Sequence, residues 1–375
     1  MTVAYLDPRS GETFPIDRPR WCGTGRAPLL LTPLGGIGRD AIDAGTRSLW
    51  RYRAALPLPV SQPITMGEGC TPLIARQLHG ARVWLKCEWF MPTGSFKDRG
   101  ASVMLSLLRQ QGIGAVLEDS SGNGGAAVAA YAAAGGMHAT IMTPASTSPA
   151  KTVQMHAHGA AVELIPGTRQ ATSDAAVAAS DRVFYASHNW QPFFLHGTKT
   201  LAYELWEDLG FRAPDNVIVP CGAGSNVLGC QIGFGELLNA GEIETPPRIF
   251  AAQPANCGPI AAAFMAGGPV DSPVLPTIAE GTAIAAPIRL PEVLGALHET
   301  GGGAVMLSED EIAGATLDLA RLGVYIEPTS AQVAAAFGKL LESGAITPEQ
   351  TTVLVLTGTG LKATPRIAEM LGIAL

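Results

Sequence analysis

From Val83 onward, short β-branched runs alternate with Ala- and Leu-rich stretches, the alternation expected of parallel α/β units. Ala101 to Leu108 is an apolar stretch that reads as a helix. Ala115 to Leu117 predicts a strand, then a turn and an alanine-rich helix over Ala126 to Ala134. His138 to Met142 and Ala161 to Ile165 predict further strands, with helices over Pro149 to His158 and Ala171 to Asp181. Lys199 to Leu209 reads as a helix and Asn216 to Val219 as a strand entering a glycine-rich turn. Arg248 to Ala252 and Thr352 to Leu356 complete the strands. Up to about Pro63 the pattern breaks into prolines and glycines around one amphipathic segment, Ala41 to Ala54, which suggests an arm wrapping the body. With no internal repeat and no long linker, the pattern predicts two interleaved α/β domains.

Composition narrows the class. The 375 residues suffice for two domains with a large buried core. Charged residues make up 15%, against roughly a quarter in typical chains, as in a close-packed enzyme. The net charge of −7 leaves no basic footprint for nucleic acid. The cysteines Cys22, Cys70, Cys87, Cys221, Cys230 and Cys257 have neither Cys-x-x-Cys spacing nor a histidine at zinc-ligand distance, so free thiols and no metal are expected. Met1 to Arg20 lacks a signal-like apolar core and no apolar run reaches membrane-spanning length. A soluble cytoplasmic protein with no membrane or nucleic-acid partner is the expectation.

Four segments carry candidate chemistry. Lys97 lies in Pro92-Thr93-Gly94-Ser95-Phe96-Lys97-Asp98-Arg99-Gly100, after a Gly-Ser turn and at the start of an apolar helix. A desolvated lysine amine is a nucleophile and forms Schiff bases with aldehyde cofactors, pyridoxal phosphate (PLP) being the usual one. Ser120-Ser121-Gly122-Asn123-Gly124-Gly125 joins a strand to a helix, so its N–H groups suit a carboxylate, and Asn123 offers an amide to a ring hydroxyl. An ordinary helix cap is the alternative there. Gly222-Ala223-Gly224-Ser225-Asn226 follows a strand and opens a helix, an arrangement that holds a phosphate; tight packing is the alternative. Val227 stands where a dinucleotide fingerprint wants glycine, and no Gly-Lys-Ser/Thr follows. Thr357, at the end of a strand, offers a hydroxyl to a pyridine nitrogen, leaving that nitrogen largely unprotonated. A neutral ring is the weaker electron sink and favours loss of a side-chain group over transamination or decarboxylation.

These segments, in this order, resemble the PLP enzymes of fold type II, among them the threonine synthases, threonine and serine dehydratases and cysteine synthases. The nearest match is to the threonine synthases. Gly67-Glu68-Gly69-Cys70-Thr71-Pro72-Leu73 resembles their Gly-Glu-Gly-x-Thr-Pro-Leu, and Leu49-Trp50-Arg51-Tyr52-Arg53 their N-terminal arm. Glu327-Pro328-Thr329-Ser330-Ala331 resembles Glu-Pro-Ala-Ser-Ala, and Leu356 to Lys362 resembles Leu-Thr-Gly-His-Gly-Leu-Lys. The resemblance runs from about Leu49 to Lys362. It implies a two-domain α/β fold like that of the tryptophan synthase β subunit, each domain a mostly parallel sheet flanked by helices. Residues 1–65 would form the arm, 66–97 with 191–375 the large PLP-binding domain, and 98–190 a smaller mobile substrate-side domain. By the same match Lys97 holds the cofactor and later moves the α-proton, Asn123 contacts the ring hydroxyl, and Gly222, Ala223, Gly224, Ser225 and Asn226 hold the cofactor phosphate. Thr357 faces the ring nitrogen, and Ser120 and Ser121, with Gly124 alongside, receive the substrate carboxylate. A homodimer is usual in such families.

The departures concern the substrate. Threonine synthases act on O-phosphohomoserine and carry Asn-Pro-x-Arg-Leu-Glu-Gly-Gln-Lys-Thr, whose arginine helps to hold the substrate phosphate. Here Gln191-Pro192-Phe193-Phe194-Leu195-His196-Gly197-Thr198-Lys199-Thr200 aligns with it, so Phe194 stands at the arginine while Lys199 remains. Ala223 replaces an asparagine that touches the same phosphate, and Gly124 a threonine near the carboxylate. Two lost charge-assisted hydrogen bonds, at roughly 1.5–3 kcal/mol each, are two or more decades of affinity. With His188, Trp190 and His196 nearby, this segment points to a small amino-acid substrate with an uncharged or less charged leaving group, handled by β- or γ-elimination or replacement. The alternatives are a threonine/serine-type ammonia-lyase, or a threonine synthase whose phosphate site is rebuilt and whose aromatics are core. From other classes, a PLP-binding protein without turnover conflicts with the presence of Lys97, Asn123 and Thr357, and a nicotinamide-dependent dehydrogenase rests on the Gly222 turn alone.

Overall fold

A computed structural model of the chain describes residues 3–374. The described residues form two compact units. One takes the chain to Cys70, with Met91–Thr93 and Lys97–Thr200; the other takes Thr71–Phe90, Gly94–Phe96 and the chain from Leu201.

The first unit is built on a parallel four-stranded sheet in the order Ala161–Ile165, His138–Pro144, Ala115–Asp119, Phe184–Tyr185. The helices Asn123–Ala134, Pro149–Ala157 and Arg169–Ala179 connect these strands, each lying between two of them in sequence, as parallel pairing demands. The alanine-rich Asn123–Ala134 helix is buried almost all round. Its small side chains let it pack against both the sheet and the Lys97–Gln110 helix. The arm adds a small antiparallel sheet of Ala4–Leu6, Thr13–Pro15 and Leu30–Leu31, whose Tyr5 and Phe14 join the same core as Phe193 and Phe194. The segment expected to be amphipathic over Ala41 to Ala54 is instead two 3-10 pieces, Arg39–Ala41 and Leu49–Ala55. A turn closed by Asp43 and Thr46 separates them, and the Ser48 side chain accepts from the Trp50 N–H to start the second.

The second unit is a six-stranded sheet in the order Gly303–Leu307, Arg248–Pro254, Asn216–Pro220, Thr352–Leu356, Ala81–Cys87, Leu73–Leu78. All neighbours are parallel except the last pair. The two central strands, Asn216–Pro220 and Thr352–Leu356, are buried at every position, which is why they read as continuous apolar runs rather than alternating ones. The mixed α/β architecture with parallel sheets is as expected. The helix Glu309–Arg321, absent from the pattern reading, announces itself by a capping box between Ser308 and Glu311.

The sequence reading places a boundary at 190/191, whereas the first unit runs on to Thr200. The reason is a close approach between the Lys97–Gln110 and Pro192–Thr198 helices. A Cβ at Gly197 would lie 2.1 Å from the Arg99 carbonyl oxygen, and one at Gly100 would lie 2.4 Å from the Phe194 ring. Gly197→Ala is therefore expected to destabilise the protein by about 3 kcal/mol, the upper end for overpacking because backbone meets backbone. Gly235→Ala, with nothing within 4 Å of the new methyl, should gain about 0.5–1 kcal/mol. Urea midpoints of the two variants check both.

Candidate active site

Lys97 is the first residue of its helix, and the turn before it is fixed at both ends. On one side the Thr93 N–H donates to the Asp98 carboxylate at 2.7 Å, and the Thr93 hydroxyl donates to the same group. On the other, the Phe96 N–H donates to the Thr357 carbonyl at 2.9 Å. The half-buried Lys97 amine lies 5.6 Å from the centroid of the Phe194 ring, which gives it an apolar wall. Phe194 is fully buried, its ring lying over Gly100. Lys199 is also fully buried, and its amine donates to the Ala55 carbonyl at 2.8 Å, so any substrate contact there would have to exchange that bond.

The Ser120–Gly124 turn leads from the strand Ala115–Asp119 into the alanine-rich helix. Its N-cap is Gly122, with no side-chain cap bond among the described residues, and a helix N-terminus of this kind suits an anion. Ser120 is buried, Ser121 and Asn123 partly exposed. Gly124 has a definite neighbour: a Cβ there would meet His188 Cε1 and Nδ1 at 2.8 Å and Ser120 Oγ at 2.9 Å. A side chain at position 124 would thus run into the imidazole.

His188 is held by Glu118. Its main-chain N–H donates to Glu118 Oε2 at 2.9 Å, and its Nδ1 lies 2.8 Å from Oε1. Burial pushes the Glu118 carboxyl up to about 7, opposed by the His188 N–H and by the charges of Arg169 and Lys97. Burial, helped by the positive charges of Lys97 and Arg169, holds the His188 imidazole well below its usual range. Both shifts share one leading cause: burial disfavours the charged form of each group. Sequence reasoning named His188 only as a neighbour and missed Glu118, because nothing local marks a strand glutamate as the partner of a histidine 70 residues on.

In the other unit, the adjacent parallel strands Asn216–Pro220 and Thr352–Leu356 end together, with the Gly222–Asn226 loop after one and Thr357 after the other. That carboxyl edge is where α/β sheets bind ligands. Gly224 has φ +94°, and a Cβ there would lie 2.2 Å from Val293 Cγ2, so the tight turn needs glycine. The turn opens the helix Ser225–Asn239 with no side-chain cap. Asn226 is buried, and among the described residues neither its Nδ2 nor its Oδ1 has a partner. An orphaned buried amide beside uncapped helix N–H groups fits a phosphate. The buried Thr357 hydroxyl lies 3.0 Å from Ser330 Oγ, which also accepts from the Gly358 N–H at 2.8 Å. Ser330, from the Glu327–Ala331 motif, is thus the hydrogen-bonded neighbour of the Thr357 hydroxyl, which the sequence reading did not foresee.

A family model described as "Pyridoxal-phosphate dependent enzyme" matches residues 64–358. The threonine synthase of Methanosarcina acetivorans is 33% identical over 336 residues, 87% of this chain and 83% of that protein. That of Methanocaldococcus jannaschii is 34% identical over 327 residues, covering 84% and 80%. The chain is a PLP-dependent enzyme of the threonine synthase family. A fungal L-serine ammonia-lyase from Rhizomucor miehei shares the fold, with a TM-score of 0.71 at 21% identity over 83% of this chain and 99% of that one. The expected cofactor and fold type II architecture are thereby borne out. Among the described residues no helix is long and apolar enough to cross a membrane, no acidic, histidine or cysteine cluster could hold a metal, and all six cysteines are free.

Two outcomes are expected of the site. Asn226→Asp sets a carboxylate against the cofactor phosphate and should weaken PLP binding about 10- to 100-fold, the worth of one charge-assisted hydrogen bond, read by titrating the apoenzyme. Glu118, raised above its unfolded value of 4.5, keeps a proton that the unfolded chain releases, so it costs stability as pH rises from about 4.5 to 7. Glu118→Gln removes that slope. Its melting temperature relative to wild type should therefore climb between pH 5 and pH 8, by the equivalent of a few kcal/mol at most.

Proposed function

We propose that this enzyme eliminates or replaces a β or γ substituent of a small amino acid whose leaving group is not a phosphate, with a hydroxyamino acid as the first candidate. The observation that carries the reading is the Phe194 position. Where the resembling enzymes place a phosphate-holding arginine, a buried phenyl ring lies over Gly100. Lys199, the remaining cation of that segment, donates to a main-chain carbonyl.

When bound, PLP supplies an electrophilic aldehyde and an electron sink. The chain's own residues do the rest. The uncapped N–H groups after Gly122, with Ser120 and Ser121, hold the substrate carboxylate, and Asn123 contacts the ring hydroxyl. Gly222, Ala223, Gly224, Ser225 and Asn226 anchor the cofactor phosphate. Lys97 Nζ holds the cofactor and takes the α-proton. The Thr357–Ser330 hydroxyl pair faces the ring nitrogen without supplying a full charge, which favours loss of a side-chain group over transamination.

A second reading, threonine synthesis from O-phosphohomoserine, has one observation in its favour. Arg169 lies 3.4 Å from Asp119 through Nη2, while its buried Nη1 has no partner among the described residues. That guanidinium is a candidate for a rebuilt phosphate clamp. The PLP-loaded enzyme should release ammonia and 2-oxo acid from L-serine or L-threonine and little phosphate from O-phosphohomoserine. Stoichiometric threonine and phosphate from the latter would overturn the first reading in favour of the second.

A further inference from the structure

The Glu118–His188 pair has no part in binding the cofactor or the substrate carboxylate as derived above, yet it is built into the same surroundings. The carboxyl group is fully enclosed on the strand that leads into the Ser120–Gly124 turn. The imidazole is 8% exposed. One flank lies against Gly124, on the turn that offers its N–H groups. The other faces Phe194, with ring centroids 5.6 Å apart, and Phe194 in turn faces the Lys97 amine. Nδ1 is committed to Glu118. Among the described residues Nε2 makes no hydrogen bond. Acid and imidazole are thus arranged in series, the carboxyl sealed and Nε2 unengaged, with Phe194 the common neighbour of the imidazole and the Lys97 amine.

We propose that His188 is the proton donor to the departing oxygen of the substrate, with Glu118 behind it as the proton reserve. This rests on the reading that the leaving group is not a phosphate. A phosphate departs as an anion and needs a cation to hold it, whereas a hydroxyl departs only with a proton. This chain has a phenyl ring at the position of the first device and a buried acid–imidazole pair that fits the second.

In the resting pair the shared proton lies on Glu118, and Nε2 of the neutral imidazole carries a hydrogen. As the carbon–oxygen bond breaks, its electron pair goes to the oxygen and the Nε2 proton moves to that oxygen. The Glu118 proton moves to Nδ1. Water or an alcohol leaves, and a neutral imidazole with hydrogen on Nδ1 remains beside a Glu118 carboxylate until one solvent proton restores the pair. The charges facing the imidazole fit this course. Lys97, from its own helix, and Arg169, from the helix Arg169–Ala179, oppose an imidazolium, while Asp119 on the strand favours one and burial outweighs it. No imidazolium is needed at any stage.

The test uses holoenzyme with L-serine, whose leaving group needs a proton, and β-chloro-L-alanine, whose chloride does not. In His188→Gln the ratio of kcat/KM for the chloride over the alcohol should rise about 100-fold, the lower range for loss of a general acid. Glu118→Gln should move it in the same direction. A purely structural role lowers both substrates together, and an unchanged ratio overturns the proposal. Nitrogen-15 spectra of His188, in apo- and holoenzyme at pH 6, give a readout independent of turnover. A neutral ring with hydrogen on Nε2 is expected, and hydrogen on Nδ1 overturns the proposal. Serine deamination by the wild type with an unmoved ratio removes this inference alone. Threonine and phosphate from O-phosphohomoserine, with serine untouched, removes the proposed function and this inference with it.

Discussion

The approach of Gly197 to the Arg99 carbonyl oxygen leaves no room for a side chain between two backbones, and the Lys97 surroundings are arranged by it. The contact presses the Pro192–Thr198 helix onto the first turns of the Lys97–Gln110 helix. Gly100 then leaves the gap that the Phe194 ring occupies, and that ring becomes the wall beside the Lys97 amine. The segment just upstream is carried with it, so the His188 imidazole arrives over Gly124. Three glycines, each facing one particular carbonyl or ring, set the positions of three side chains. Close packing of this kind transmits a change at one position to the others, because the interior has no slack to absorb it.

Electrostatics follows the same economy. Several buried charged or polar groups in this unit are held by well-defined partners. Glu68 accepts from the Trp50 indole at 3.0 Å, from Ser102 at 2.6 Å and from Tyr131 at 2.9 Å. Asp98 is bound by Thr93, and Lys199 by the Ala55 carbonyl. Such groups hold the fold at the cost of being unavailable to a ligand, since withdrawing one partner leaves the other desolvated. The Glu118–His188 pair solves the burial problem differently. Burial disfavours charge on either member, and among the described residues Nε2 of the imidazole stays uncommitted. A buried group with spare hydrogen-bonding capacity is unusual in a well-packed interior and points to chemistry more readily than to stability.

Much of this was legible in the sequence where chemistry and local structure coincide. The strand-to-helix turns at Ser120–Gly124 and Gly222–Asn226, the lysine at a helix start and the threonine at a strand end are each contiguous, so a short window contains the whole signal. The buried central strands were legible because nothing polar interrupts them. What escaped was pairing between distant segments: Glu118 with His188, Ser330 with Thr357, Gly100 with Phe194. None leaves a trace in local periodicity, and a glycine gives no hint of the ring that will cover it. The unit boundary at Thr200 escaped for the same reason, since the Gly197–Arg99 contact decides it. The arm's short strands are too brief and too interrupted by proline and glycine to produce a strand pattern.

The choice of leaving group turns on what a site must supply when a bond to oxygen breaks. Two negative charges on a phosphate are stabilised by forked donors and by positive charge, and a phenyl ring offers neither. A hydroxyl carries no charge to be held, but its departure as hydroxide is unfavourable unless a proton arrives as the bond lengthens. A site with a cation clamp and a site with a buried acid–imidazole pair are thus adapted to different leaving groups, even when they hold the same cofactor in the same fold. In this chain Phe194 and Gly124 depart together from what the resemblance implies, and both adjoin the His188 imidazole. Loss of the arginine alone would read as impairment. Under the function proposed above, an imidazole set over Gly124 beside Phe194 makes the same loss a change of leaving group.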